Sequence, residues 1–285
     1  MKKTISLILF SIFYFTQANA QFGYAKKADI EKFKDNKLIV VLFNDSTYNA
    51  SIQKAVQRFW NFTGSFEFVH DSMMKQYAKG DYSYLIFTKS KRSNKLKAKL
   101  CSSEDDFNGL VVTKKYKKRV NVTEIIASAA CSNVIDTLDW YPELVRSIQI
   151  LNNYFSYAIQ AKGEKEIVNT FMMANYPTDL SIIGNKRLII ETGLLQMKGK
   201  ENPEQLVGLT VDEVEKEDIY KAVLTQDPDI IYMYHIMSEK YCDKIFVSAA
   251  NSEVLFFLSS PASDPCKCTA KDLKTIKSKI DKANK

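Results

Sequence analysis

Three apolar runs separated by polar stretches dominate the segment from Lys37 to Thr88. The first, Leu38 to Phe43, is continuous and rich in β-branched residues, as a strand buried on both faces requires. The second is Phe66 to His70 and the third Tyr82 to Phe87. Between the first two, Ile52, Ala55, Val56 and Phe59 recur at the spacing of one helical face. Asp45, Ser46 and Asn49 are candidate caps for that helix. Trp60 and Phe62 read as core aromatics at its edge. A shorter helix is expected after Asp71. This is the strand–helix–strand grammar of a mixed α/β sheet with helices packed on it, so the expected fold class is α/β.

The pattern continues with a short strand at Phe107 to Val112. The stretch from Val120 to Asp139 suits either a helix or a buried strand. A clearer helix follows, with Pro142 in its first turn. Leu144, Ile148, Leu151, Phe155, Ala158 and Ile159 keep its apolar stripe, and Gly163 is its expected stop. Residues 140–163 are thus expected to connect an N-terminal half, 21–139, to a C-terminal half, 164–285. Met172, Met173 and Tyr176 read as core packing before a contact surface. Val211 to Ile236 echoes Phe66 to Phe87: a short apolar edge, a polar helix, a turn and a Tyr-rich strand. A further strand follows both, which suggests two related half-domains by degenerate duplication. The counterpart of the long first helix is missing from the second half. Lys244 to Leu258 reads as a hairpin turning at Ala250-Asn251-Ser252. Thr269 and Asp272 form a capping box before a last helix docked by Leu273, Ile276 and Ile280.

The first twenty residues stand apart from this pattern. Lys2 and Lys3, the apolar run Ile5 to Phe15 and Ala18-Asn19-Ala20 are the three parts of a cleavable signal peptide, with cleavage after Ala20. A periplasmic or secreted mature chain without a transmembrane segment is expected. Of the 285 residues 46% are hydrophobic and 12% aromatic, which excludes a disordered chain. Nine Gly and six Pro argue against a turn-rich all-β protein. The composition, rich in Lys, Asn, Tyr and Phe after an MKK start, resembles that of exported α/β proteins of Bacteroidetes. The resemblance is one of style and implies no site residue.

The net charge of +7 is unevenly spread. Residues 89–119 hold eleven Lys or Arg and three acids. Lys114, Lys115, Tyr116, Lys117, Lys118 and Arg119 are the candidate binding residues of this stretch. They suit an anionic envelope component or a protein partner. Basic patches ordinarily point to nucleic acid, but the export signal argues against it. The competing reading is a solvated sheet edge guarded by lysines.

No Gly-rich phosphate loop, H-E-x-x-H, G-x-S-x-G or paired C-x-x-C is present, so neither a catalytic residue nor a metal or cofactor is expected. The two histidines, His70 and His235, fall near strand ends, where α/β sheets place ligands. Structural roles compete with that reading. Five cysteines in an exported chain point first to disulfides. Antiparallel pairing of the hairpin returns Cys242 to the end where Cys266 and Cys268 lie, so Cys242 is expected to pair with one of these two. Cys131 is the expected inert thiol, with Cys101 the other candidate. Together these features suggest an exported, non-enzymatic binding or adaptor protein. The alternative is a small-ligand-binding protein or enzyme with a strand-end cleft near His70 and His235.

Overall fold

The computed structural model describes residues 25–90, 107–116, 125–131, 140–162, 183–237, 241–262 and 265–283. The expected signal peptide, residues 91–99, Cys101, Lys117, Lys118, Arg119, Gly163, Met172, Met173 and Tyr176 lie outside the described residues. The first half runs α1 (Lys27–Asp35), β1 (Lys37–Leu42), α2 (Ser46–Phe59), β2 (Phe66–His70), a 3-10 helix (Asp71–Tyr77), β3 (Tyr82–Ser90), β4 (Phe107–Thr113) and β5 (Ile125–Ala130). Its sheet is ordered β2-β1-β3-β4-β5. β1 is parallel to both neighbours, and β4 is antiparallel to β3 and β5. The helix α3 (Trp140–Gln160) follows.

The second half runs β6 (Arg187–Glu191), β7 (Leu195–Gln196), α4 (Pro203–Val207), β8 (Thr210–Val214), α5 (Lys216–Thr225), β9 (Ile230–Met237), β10 (Tyr241–Ser248), β11 (Val254–Pro261), β12 (Cys268–Thr269) and α6 (Ala270–Ala283). Its five-stranded sheet is ordered β11-β10-β9-β6-β8. Taken from the other edge, this is the order of the first sheet. The directions match as well: β6 is parallel to β8 and β9, and β10 is antiparallel to β9 and β11. β6 therefore stands where β1 does, β8 where β2 does and β9 where β3 does. The long α2 is replaced by β7 and the short α4, as the missing counterpart in the sequence suggests.

Local chemistry sets the element ends. The Asp45 carboxylate accepts from the Tyr48 amide at 2.9 Å and starts α2. The Asn49 side chain clamps the preceding turn by bonding Phe43 N at 3.0 Å and Phe43 O at 2.7 Å. The ambiguous stretch before α3 contains β5, and all six of its residues are buried. In the hairpin turn the positive φ of 54° belongs to Ser252, one residue past Asn251. Thr269 and Asp272 cap α6 reciprocally: the Asp272 carboxylate accepts from Thr269 N at 2.8 Å and its amide donates to Thr269 Oγ1 at 3.4 Å.

Alternation along the strands divides the interior into layers. Leu38, Val40, Leu85, Leu110 and Val112 face a middle layer containing α1, α2, α3 and α5, and Ile189, Tyr232, Ile245 and Val247 face it from the second sheet. The intervening residues Ile39, Val41, Val69, Tyr84 and Ile86 point outward under the 3-10 helix. On the far side of the second sheet, Leu188, Ile190, Met233 and Phe256 pack with Leu273 and Ile276 of α6. Among the described residues no helix is long and apolar enough to cross a membrane.

Candidate functional site

The middle layer is apolar except along α3, and the exception is where charge is concentrated. Fifteen of the 21 residues of α3 are buried, including Glu143, Arg146, Ser147, Gln149 and Asn152. Glu143 and Arg146 sit one helical turn apart and pair as two parallel forks. Arg146 Nη1 donates to Glu143 Oε1 at 3.0 Å, and Nη2 donates to Oε2. Their side chains are 1% and 4% exposed, so the pair is removed from water. The Tyr220 hydroxyl on α5 donates to Glu143 Oε1 at 3.3 Å. The guanidinium lies 4.1 Å from the centroid of the Tyr234 ring on β9. Burial alone would lower the Arg146 pKa, but the Glu143 carboxylate, followed by Tyr232 and Tyr234, leaves it raised. A bidentate, fully charged pair is the arrangement that keeps such groups affordable in a dry interior.

Further polar contacts extend this seam. Cys131 Sγ lies 3.3 Å from Ser147 Oγ, and burial, then Glu143, pushes its thiol up to about 12. It is a thiol without nucleophilic character, as its apolar setting suggests. Ser252 donates to Gln149 Oε1 at 2.7 Å and ties α3 to the hairpin turn of the second sheet. Trp140 at the start of α3 packs edge-on against Tyr48 and Phe87. Near its other end Asn153 bonds the Asn251 carbonyl, in the turn leading back to the start of β9. The carboxyl ends of the parallel strands in both sheets therefore face the same end of the molecule.

At that end the strands part in both sheets. β1 pairs with β2 as far as Leu42 and His70, but with β3 only as far as Val40 and Leu85. β6 pairs with β8 to Glu191 and Val214, but with β9 only to Ile189 and Tyr232. These are the points where the chain reverses its direction of travel across the sheet, the usual place for a ligand crevice. His235 lies beyond the parting on β9, and burial, then Arg146, lowers its pKa. His70 lies elsewhere, on the edge strand β2 of the other sheet. The histidines therefore occupy different places in the two sheets, His70 on the edge strand and His235 on the counterpart of β3. His70 Nδ1 lies 2.9 Å from Ser72 Oγ and 3.1 Å from Asp71 Oδ1 and caps the 3-10 helix. A hydrolytic relay needs serine and carboxylate on opposite ring nitrogens; here both meet the same one.

Of the candidate binding residues, Lys114 pairs with Asp29 at 2.7 Å. Lys115 is exposed, and Tyr116 is half-buried with its ring 6.1 Å from that of Tyr84. β3 and β4 are antiparallel, with Ser90 opposite Phe107 and Tyr84 opposite Thr113. β3 thus ends, at Ser90, toward the carboxyl end of the sheet, and the chain leaves β4 at Lys114 toward its amino end. The departure points are about 20 Å apart at roughly 3.3 Å per residue. Cys242 and Cys266 form a disulfide with Cα atoms 5.5 Å apart. Cys268 is a free, buried thiol that burial pushes up to about 12. Beside them Lys244, 2% exposed, donates to Asp272 at 2.8 Å, Lys267 O at 3.2 Å and Ser260 Oγ at 3.3 Å. All three ammonium protons are used.

Sequence reasoning missed the Glu143–Arg146 pair, because one apolar stripe on α3 leaves both residues on the expected polar face. Val145 and Ile150, also buried, lie off that stripe and were the available signal of a helix covered all round. The fold and this seam define a mixed α/β protein of two topologically matching sheets around a shared helix layer. Compared with protein-family models, curated proteins and solved structures, the chain has no match.

Proposed function

We propose that the chain is an exported, non-enzymatic binding or adaptor protein that takes an anionic partner through the basic segment beginning at Lys114. One observation carries this reading: the buried charges are spent on each other, whereas the surface charges are sorted by sign along the chain. Glu143 holds Arg146 and Lys244 holds Asp272, so these groups support the fold. Lys115, by contrast, is exposed and heads the run Lys117, Lys118 and Arg119. The Cys242–Cys266 bridge suits an oxidising compartment and agrees with export.

The test is a triple variant, Lys115→Gln, Lys117→Gln and Lys118→Gln, which leaves the Lys114–Asp29 pair in place. Binding of the mature chain to phosphatidylglycerol vesicles and to an envelope extract is measured at low and high salt. Salt-sensitive binding that the triple variant loses, with an unchanged melting temperature, supports the proposal. Undiminished binding by the variant rejects it.

A second reading rests on the parting of β6 and β9 beside His235, which suits a small ligand at the strand ends. It expects ligands from a metabolite panel to raise the melting temperature of the wild type more than that of His235→Ala. Equal shifts for the two proteins would remove it.

A further inference from the structure

Three cysteines meet on the far side of the second sheet, and only two of them are joined. Cys242, Lys244 and Phe246 alternate along β10 and so share the face that α6 covers. Cys242 is bridged to Cys266, and Cys268 follows two residues later as a free thiol. All three are 0% exposed. Cys268 belongs to the same packed layer as Phe246 and Phe256. The peptide between Cys266 and Cys268 is pinned to β10, because Lys244 Nζ donates to Lys267 O at 3.2 Å. The next peptide is pinned to the turn before β7, where Cys268 N donates to Leu194 O at 2.7 Å. Bridge and free thiol are therefore held against one strand. Cα atoms two residues apart lie within about 7 Å, so a local shift of this segment exchanges one sulfur for the other beside Cys242.

We infer that Cys268 is an exchange thiol for this bridge, and that the crosslink moves from Cys266 to Cys268 within the folded chain. In that step the Cys268 thiolate attacks the Cys242 sulfur. A bond from Cys242 to Cys268 forms, the bond from Cys242 to Cys266 breaks, and Cys266 leaves as a thiolate that takes up the proton. One disulfide and one thiol are present before and after, so neither oxidant nor reductant is needed. The surroundings set the rate. Burial, then Asp272, pushes the Cys268 thiol up to about 12, and Lys244 acts in the other direction. Lys244 from β10 pairs with Asp272 from α6 at 2.8 Å, and His235 on β9 stands opposite Lys244 in register. The attacking thiolate is thus scarce at neutral pH, and the bridge on Cys266 is the resting form. Moving it draws Cys268 away from β7, and with it Thr269, which caps α6. The position of one crosslink is thereby coupled to the docking of a helix.

Peptide mapping of the mature chain tests this, because Lys267 lies between the two cysteines and cleavage after it separates them. The folded chain is held at about pH 7 or about pH 9, quenched in acidic denaturant, blocked with a maleimide and digested without reduction. The Cys242–Cys266 peptide pair is expected at the lower pH. At the higher pH a Cys242–Cys268 pair with blocked Cys266 should accumulate. Its rate should rise about a hundredfold between the two, as the thiolate fraction does below the thiol pKa, and be independent of protein concentration. A second measurement uses Cys266→Ser, which is expected to bridge Cys242 to Cys268 and to melt at a lower temperature than the wild type. A bridge that stays on Cys266 at both pH values overturns the inference. So does one that moves only between chains or to Cys101, and so does a Cys266→Ser chain that folds with both remaining cysteines as thiols. A bridged Cys266→Ser chain that melts with the wild type overturns the coupling to α6.

Discussion

α3 and α6 each follow the last strand of a five-stranded sheet, at the same place in the same strand order, yet they meet opposite surroundings. α3 is covered on both sides and buries charged residues along with its apolar stripe. α6 buries Leu273, Ile276 and Ile280 and leaves Lys271, Lys274 and Lys282 exposed. The difference comes from what lies beyond each helix. Beyond α3 stand α5 and β9; beside α6 lies the short α4, whose Gln205 carbonyl accepts from Lys277 Nζ at 3.4 Å. A helix shared by two sheets cannot keep a polar face in water, so its polar residues must find one another. That is what Glu143 and Arg146 do.

The largest effect expected from breaking this comparison is at Arg146. Arg146→Met strands the Glu143 carboxylate in a dry interior and should cost about 3–5 kcal/mol. Adding Glu143→Leu should recover most of the loss, because a packed apolar pair replaces the ion pair. Denaturant unfolding of both variants checks this, and a single variant as stable as the wild type would mean that α3 is not shared as described. Next in size is the bridge that holds α6 on its sheet. Cys242→Ser with Cys266→Ser should lose about 3 kcal/mol in the chain-entropy account, given a sequence separation of 24. Thr269→Ala removes the cap of α6 and should cost about 1 kcal/mol in the same assay, whereas Lys274→Ala on its open face should stay within about 0.5 kcal/mol.

The smallest expected effect is a pH dependence. Burial and Arg146 lower the pKa of His235 from 6.5, so below that pH the unfolded chain binds a proton that the folded chain refuses. Stability from this residue is complete above pH 6.5 and falls as the pH drops toward the depressed folded value. His235→Gln should flatten that part of the stability profile, measured by melting temperature between pH 7 and pH 5. A wild-type profile unchanged by the substitution would place His235 in water.

Much of the architecture was legible because it rests on periodicity. β1, α2, β2, β3, α3 and the β10–β11 hairpin follow from strand and helix spacing, and the capping box of α6 follows from residue type. The correspondence of Phe66 to Phe87 with Val211 to Ile236 was visible as a pattern of elements. The matching strand order of the two sheets was not visible there, because no local window carries it. The disulfide was narrowed to Cys266 or Cys268 by antiparallel geometry; choosing between them depends on how the linker turns before β12. Glu143 and Arg146 escaped notice for a different reason. Amphipathic logic assumes one solvent face, and the first half of α3, where both residues lie, has none. His235 drew attention for its place at a strand end, but its pKa is lowered by burial and then by Arg146, on a helix far away in sequence.

The sharing of α3 also has a consequence for how the chain is made. Helices of the first half are synthesised, and cross a membrane if exported, before β9 and α5 exist to cover them. Until then Glu143, Arg146 and the apolar residues on that side of α3 have no lid, and the first sheet carries an adhesive surface. A chain stopped after Ala161 is therefore expected to aggregate or to need a chaperone, even though its own five strands are complete. Folding is finished from the C-terminal side, and the interval between the two halves is the period of greatest exposure to proteases.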